Sequence, residues 1–380
     1  MRRLVIAMLG LLAAPALAAP APPAEDMHDR LRIAAEIDRA CAKFGFFEQY
    51  WMRRATGRLF SGSAAEARIA AARKAEPVTG AAKAKQQLAD GYAARAKALG
   101  CGKETDGYVL DAVLAGWIDV GVALQTSVQL DALAGQYRRP MTDEQKRLGA
   151  SVLATMRNRL GTRQGAVEAR IDERMRALAP VRAQGMANPA TAPATYLEMA
   201  FTADPLFSST RFVQAMSAAG YVPREVPLGD EEPGIVLTPT KPGGKRYFAL
   251  GLPSDLRIPT GAGKSIPASG MLALDDGGNL LIALIDPPAA ALPANLRAVL
   301  TARHGNPARA ERLAADCPGT QCFAFRAADH EKQAGFGSTS HDAMITARDL
   351  DYPTEGAGEA LTARTARLKS ARTALATLKP

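Results

Sequence analysis

Four cysteines behind an export-type leader constrain this chain more than anything else in it: Cys41, Cys101, Cys317 and Cys322. Residues 1–18 carry Arg2 and Arg3, an almost wholly apolar run over 4–12, and then Ala16-Leu17-Ala18. A positive start, a short apolar core and a small-x-small end are the marks of a cleavable secretory signal. The mature chain is expected to begin at Ala19. The apolar run is too short to cross a bilayer, which takes about 20 apolar residues. No cysteine follows the cleavage region, so no lipid attachment is expected.

In an oxidising compartment the default state of such thiols is paired. Four cysteines allow three pairings. Proximity favours Cys317 with Cys322, across the turn-forming Pro318-Gly319, which leaves Cys41 with Cys101. The C-x4-C spacing of the first pair is not the C-x-x-C of thiol oxidoreductases, so its expected role is structural. Periplasmic or secreted localisation follows from the same reading.

Residues 19–26, APAPPAED, bury no apolar surface and read as a loose tether. From 27 to 180 apolar residues recur at helical spacing, as in Leu31, Ala34, Ile37 and in Leu110, Leu114, Trp117, Gly121, Leu124 and Val128. The reading is a helix bundle-like domain. Its core is built from small residues, since only 6% of the chain is aromatic while alanine abounds. Gly116 and Gly121 on the longest helix imply close approach of neighbouring helices. Gly100 suits a left-handed helix end. Thr142 to Gln145 form a capping box, and Thr162 reads as the cap of the next helix, which Pro180 stops. Residues 181–194, VRAQGMANPATAPA, read as a linker. Beyond it, Thr195 to Glu198 reads as another capping box and Ser209 as the cap of a short helix ending at Gly220.

After Gly220 the pattern changes to Pro/Gly-rich sequence with short β-type runs at 235–238, 246–250, 271–274 and 280–285. Asp275-Asp-Gly-Gly-Asn279 between the last two is a hairpin signal. Helices are expected at 294–303, 307–315 and 356–378, and a strand at 322–326. The expected fold is therefore α+β: a mainly helical N-terminal part, then a smaller mixed part, 195–380, with a short antiparallel sheet. No stretch after the signal reads as membrane-spanning, because the best one, 109–124, contains Asp111 and Asp119.

Several motifs imitate chemistry without its context. Pro259-Thr-Gly-Ala-Gly-Lys264-Ser265 imitates a phosphate-binding loop, but Ile258 stands where the leading glycine belongs, and Pro267 and Gly270 spoil the helix that must follow. The expectation there is a lysine-bearing loop and no nucleotide cofactor. His330-Glu331 begins like a zinc-protease helix, but the second histidine is replaced by Ala334, so no metal is expected. His28 and His304 stand alone. Trp51 and Trp117 sit on apolar helical faces and read as core. Ser338, Ser340 and His341, followed by Asp342, are the catalytic candidates, although Ser340 reads equally as a helix cap.

The net charge is +9, and the surplus beyond the signal lies in the N-terminal half, where residues 19–220 hold 27 Lys/Arg against 21 Asp/Glu. The positives are interleaved with acids, so a nucleic-acid surface is not expected, while an anionic envelope component or another envelope protein is a natural partner. The functional expectation is an exported cell-envelope protein of the non-catalytic binding kind. The alternative is a hydrolase with its site in residues 221–380.

Overall fold

The computed structural model describes residues 25–136, 140–228, 231–261, 264–286, 289–301, 308–314, 316–329, 340–347 and 359–377. Residues 1–24, where the signal and most of the tether are expected, lie outside them.

Eight helices come first: α1 (Met27–Cys41), α2 (Phe46–Phe60), α3 (Ala64–Ala75), α4 (Gly80–Leu99), α5 (Asp106–Ala132), α6 (Asp143–Leu160), α7 (Gln164–Ala187) and α8 (Ala192–Ala218). α5 is the axis of this part and packs against α1, α2, α7 and α8. It is long and apolar enough to cross a membrane, yet half of its apolar window is buried inside the protein. Two of its acids are met by arginines: Arg30 Nε donates to Asp111 Oδ2 at 2.6 Å, Arg58 Nε donates to Asp119 Oδ1 at 3.0 Å, and Arg174 also pairs with Asp119. Gly116 and Gly121 mark close approach. A Cβ at Gly121 would lie 2.0 Å from Ile171 Cδ1 on α7, and one at Gly116 would lie 3.3 Å from the Met52 nitrogen on α2. Trp51 and Trp117 are buried in the core. The Thr142–Gln145 capping box is fully formed.

Five expectations for this part are corrected. Thr162 is not a cap; it sits in a single 3-10 turn, Gly161–Arg163, that leads straight into α7. Pro180 does not end α7, which continues to Ala187. Pro180 lies on the exposed side of the helix, so the carbonyl that its missing N–H leaves open is not sealed in the core. Residues 181–194 are consequently no linker: they are the end of α7, a short turn and the start of α8. Their small residues serve packing, for a Cβ on Gly185 would lie 2.0 Å from Thr195 Oγ1 across the α7–α8 contact. α8 also absorbs the supposed caps at Thr195 and Ser209. Ser209 Oγ donates back to the Pro205 carbonyl at 2.6 Å inside an unbroken helix.

Two antiparallel sheets follow. The larger has eight strands in the order β1 (Tyr221–Leu228), β2 (Glu231–Pro239), β3 (Tyr247–Ala249), β5 (Lys264–Asp275), β6 (Leu280–Asp286), β10 (Gln321–Phe325), β9 (Glu311–Leu313), with β4 (Ser254–Gly261) paired to β5. The smaller has the order β12 (Glu359–Arg364), β11 (Ser340–Thr346), β7 (Arg297–Thr301), β8 (Ala308–Arg309). A last helix, α9 (Thr365–Thr377), closes the described chain. The expected hairpin at Asp275–Asn279 is present, with Asp275 Oδ1 accepting from the Asn279 N–H at 2.8 Å.

The large sheet is buried on both faces. Side chains alternate along a strand, so Ile235, Leu237, Met271, Ala273, Leu281, Ala283 and Cys322 join one apolar cluster with the helices. Val236, Leu272, Leu274, Ile282, Leu284, Phe323 and Phe325 join another with the small sheet and α9. This explains the unbroken run Leu280-Leu-Ile-Ala-Leu-Ile285: both faces of β6 are interior. The chain is thus α+β, helices first and antiparallel sheets after.

The sheet part is larger than expected because two supposed helices are strands. Residues 297–301 form β7 and 308–313 contain β8 and β9. Ala298 and Leu300 alternate into the second cluster, a period of two that burial enforces over helical propensity. The final helix starts only at Thr365, because 359–364 pairs with β11 as β12.

Candidate functional site

A cleft of about 330 Å³ opens where α8 crosses the end of the large sheet. Helical spacing of three and four residues puts Phe201, Asp204, Pro205, Ser208 and Arg211 on one side of α8. Opposite them stand Pro253, just before β4, Asp255 of β4, Ser269 from β5, and Gln145 from the first turn of α6. Arg211 crosses the opening: its Nε donates to Glu144 Oε1 at 3.1 Å and its Nη1 donates to Asp255 Oδ1 at 3.4 Å. Phe201 is 72% exposed at the rim.

Asp286 stands across the ladder from Ser269, at a bulge between Ser269 and Gly270. Burial pushes its carboxyl above the ordinary carboxylate range; Arg211 opposes that, and Glu144 and Asp255 add to it. Bulges re-aim side chains beside sites, and this one lets the β5–β6 ladder end at the cleft. The cleft therefore combines an exposed aromatic ring, an amide, a guanidinium and several carboxylates. The Ser208 hydroxyl is spent on the Asp204 carbonyl at 3.2 Å, within its own helix. These are groups for gripping a polar ligand.

Of the sequence candidates, Ser338 lies outside the described residues, as do His304, His330, Glu331 and Ala334. Ser340 and His341 open β11, opposite Arg364 and Ala363 of β12, so Ser340 caps no helix. Asp342 Oδ1 accepts from Thr362 Oγ1 at 2.6 Å across the same ladder. This strand belongs to the small sheet, on the far side of the large sheet from the helices. The 259–265 segment is a β4–β5 hairpin, with Pro259 opposite Ser265 and Gly261 opposite Lys264. A phosphate loop needs strand, loop and helix, and here a strand follows.

All four cysteines are paired, Cys41 with Cys101 and Cys317 with Cys322. Two disulfides are compatible with an oxidising location.

His28 does not stand alone. At the start of α1, Asp26, His28 and Asp29 bring one ligand atom each within 4.8 Å of one another. Asp26 Oδ1 accepts from the Asp29 N–H at 2.8 Å and its Oδ2 from the Ala64 N–H of α3 at 2.8 Å. Asp29 Oδ1 accepts from the Tyr92 hydroxyl of α4 at 2.5 Å. Burial and the neighbouring Asp29 raise the Tyr92 phenol well above its ordinary value. Burial works against the charge of Asp26, but the N–H bonds from Asp29 and Ala64 and the nearby His28 hold its carboxyl below the usual range. The signal in the sequence was Asp-x-His-Asp at a helix start, where cap and first turn converge in space.

No protein-family model matches the chain, and no curated protein or solved structure does either.

Proposed function

We propose that this is an exported cell-envelope protein, processed after Ala18 and working in the periplasm or outside the cell, that binds a hydroxyl-rich envelope glycan in the α8–β4 cleft without turning it over. The leader pattern of residues 1–18 and the two disulfides support export. The observation that carries the binding role is the pairing of the exposed Phe201 ring with Gln145, Arg211 and Asp255 around one opening. A bare aromatic face beside planar hydrogen-bonding groups suits a sugar ring, whose C–H face stacks while its hydroxyls bond. The carboxylates of Glu144, Asp204, Asp255 and Asp286 disfavour an anionic ligand at this place. An anionic partner is better suited to the basic helical half.

Calorimetric titration of the mature protein with uncharged envelope oligosaccharides tests this. Binding is expected, and Phe201→Ala is expected to weaken it at least about tenfold, a change of about 1.4 kcal/mol. Oligosaccharides that fail to bind, or bind Phe201→Ala equally well, overturn the reading. Labelling of Ser338 or Ser340 by a fluorophosphonate would replace it with the hydrolase.

A further inference from the structure

We propose that Asp26, His28 and Asp29 form a site for one divalent ion of the zinc class, independent of the cleft. Three observations converge. One nitrogen and two carboxylate oxygens lie within 4.8 Å of one another, so small side-chain shifts bring all three onto an ion with bonds of about 2.0–2.2 Å. His28 is only 7% exposed, and its Nδ1 has no hydrogen-bond partner. That nitrogen lies 3.5 Å from Asp29 Oδ1, beyond a good hydrogen bond. A buried imidazole nitrogen without a donor or acceptor is costly, and a metal ion is a partner that satisfies it.

The carboxylates are already oriented as ligands. Asp26 is fixed by the Asp29 and Ala64 N–H groups, and Asp29 by the Tyr92 hydroxyl. Each carboxylate oxygen carries a further lone pair for a metal. Such supporting hydrogen bonds are what set ligand geometry in metal sites. The positive end of α1 opposes a cation here, but two full negative charges outweigh a helix end of about half a charge. One imidazole with two carboxylates matches a borderline ion of the zinc type better than calcium or magnesium, which take oxygen alone. Phe60 and Tyr92 flank the His28 ring at 5.5 and 6.5 Å between ring centres, and Asp26, the least buried of the three, gives the ion its way in. The ion would pin the chain entry to α1, α3 and α4 together.

The test uses untagged mature protein, stripped with a chelator and titrated with Co²⁺, followed by Zn²⁺ competition. One equivalent of Co²⁺ is expected to give a visible absorption band that Zn²⁺ removes. Tyr92→Phe is expected to keep the stoichiometry and bind at least about tenfold more weakly. His28→Gln is expected to abolish the band. Because Asn caps a helix as well as Asp, Asp26→Asn is a variant that keeps the fold and is expected to weaken binding by at least tenfold. Wild-type protein that holds no Co²⁺ or Zn²⁺, or Asp26→Asn and His28→Gln variants that bind as wild type, would overturn the site.

Discussion

Asp38 at the end of α1 holds Arg224 of β1, with Oδ2 accepting from the guanidinium at 3.2 Å, and so joins the first helix to the first strand. The same buried carboxylate accepts from the Phe44 N–H at 2.7 Å and from Gln49 Nε2 at 2.5 Å. Gln49 Oε1 in turn accepts from the Glu225 N–H at 2.8 Å, and the Glu225 carboxylate pairs with Arg53 at 3.0 Å. Asp38→Ala would strand three donors at once. The expected loss is about 2 kcal/mol or more in urea unfolding, since the buried Phe44 N–H and Gln49 Nε2 are left without an acceptor, while the half-buried Arg224 can turn to water. A loss under about 1 kcal/mol would show that this network does not dock the sheet on the helices.

Gly121 gives a second prediction. An alanine Cβ there meets Ile171 Cδ1 at 2.0 Å, so the isoleucine must move. Gly121→Ala is expected to destabilise by about 1–3 kcal/mol, less the roughly 1 kcal/mol that alanine adds to helix propensity. Combining it with Ile171→Val is expected to be less harmful than the two single changes added, by at least about 0.5 kcal/mol. Strict additivity in a double-mutant cycle would place the α5–α7 contact elsewhere.

The two disulfides are predicted to contribute unequally. Cys41–Cys101 spans a sequence separation of 60 and Cys317–Cys322 one of 5. In the chain-entropy picture these correspond to about 4 and about 2 kcal/mol. Paired Cys→Ser variants measured by denaturant unfolding are expected to keep that order. The reverse order would mean that the short bridge is worth more to the native β9–β10 edge than chain entropy gives it.

Asp286 predicts a pH effect. Its folded carboxyl titrates above its unfolded value because burial disfavours the charge. Stability from this group is therefore full below the unfolded value and is lost as pH rises through the folded one. Asp286→Asn is expected to raise the thermal midpoint at neutral pH, with the advantage over the wild type closing in acid. An asparagine variant less stable than the wild type at neutral pH would show that Arg211 outweighs burial.

Local signals were readable from residues alone. The Thr142–Gln145 box, the Asp275–Asn279 hairpin, the glycine contacts on α5 and the cysteine pairing each need only neighbours in sequence or a matched stripe. What stayed hidden depends on tertiary burial. Pro180 reads as a break, yet it sits inside a helix that packing carries through. Residues 297–301 read as helix by composition and fold as strand because Ala298 and Leu300 face a sheet. The cleft draws on Gln145, Phe201, Arg211 and Asp255, which no local spacing relates. Its one sequence trace is the three-and-four repeat along 201–211, cut by reading Ser209 as the cap of a new, short helix.

The sealing of β6 from both sides has a consequence for how the molecule comes apart. Stripping the helices bares Leu281, Ala283 and Ile285, and stripping the small sheet and α9 bares Leu280, Ile282 and Leu284. Neither outer layer can leave alone without exposing a sticky apolar surface to water. Cutting the chain near residue 220 should thus yield two insoluble pieces, and heating the intact protein should melt it in a single cooperative step.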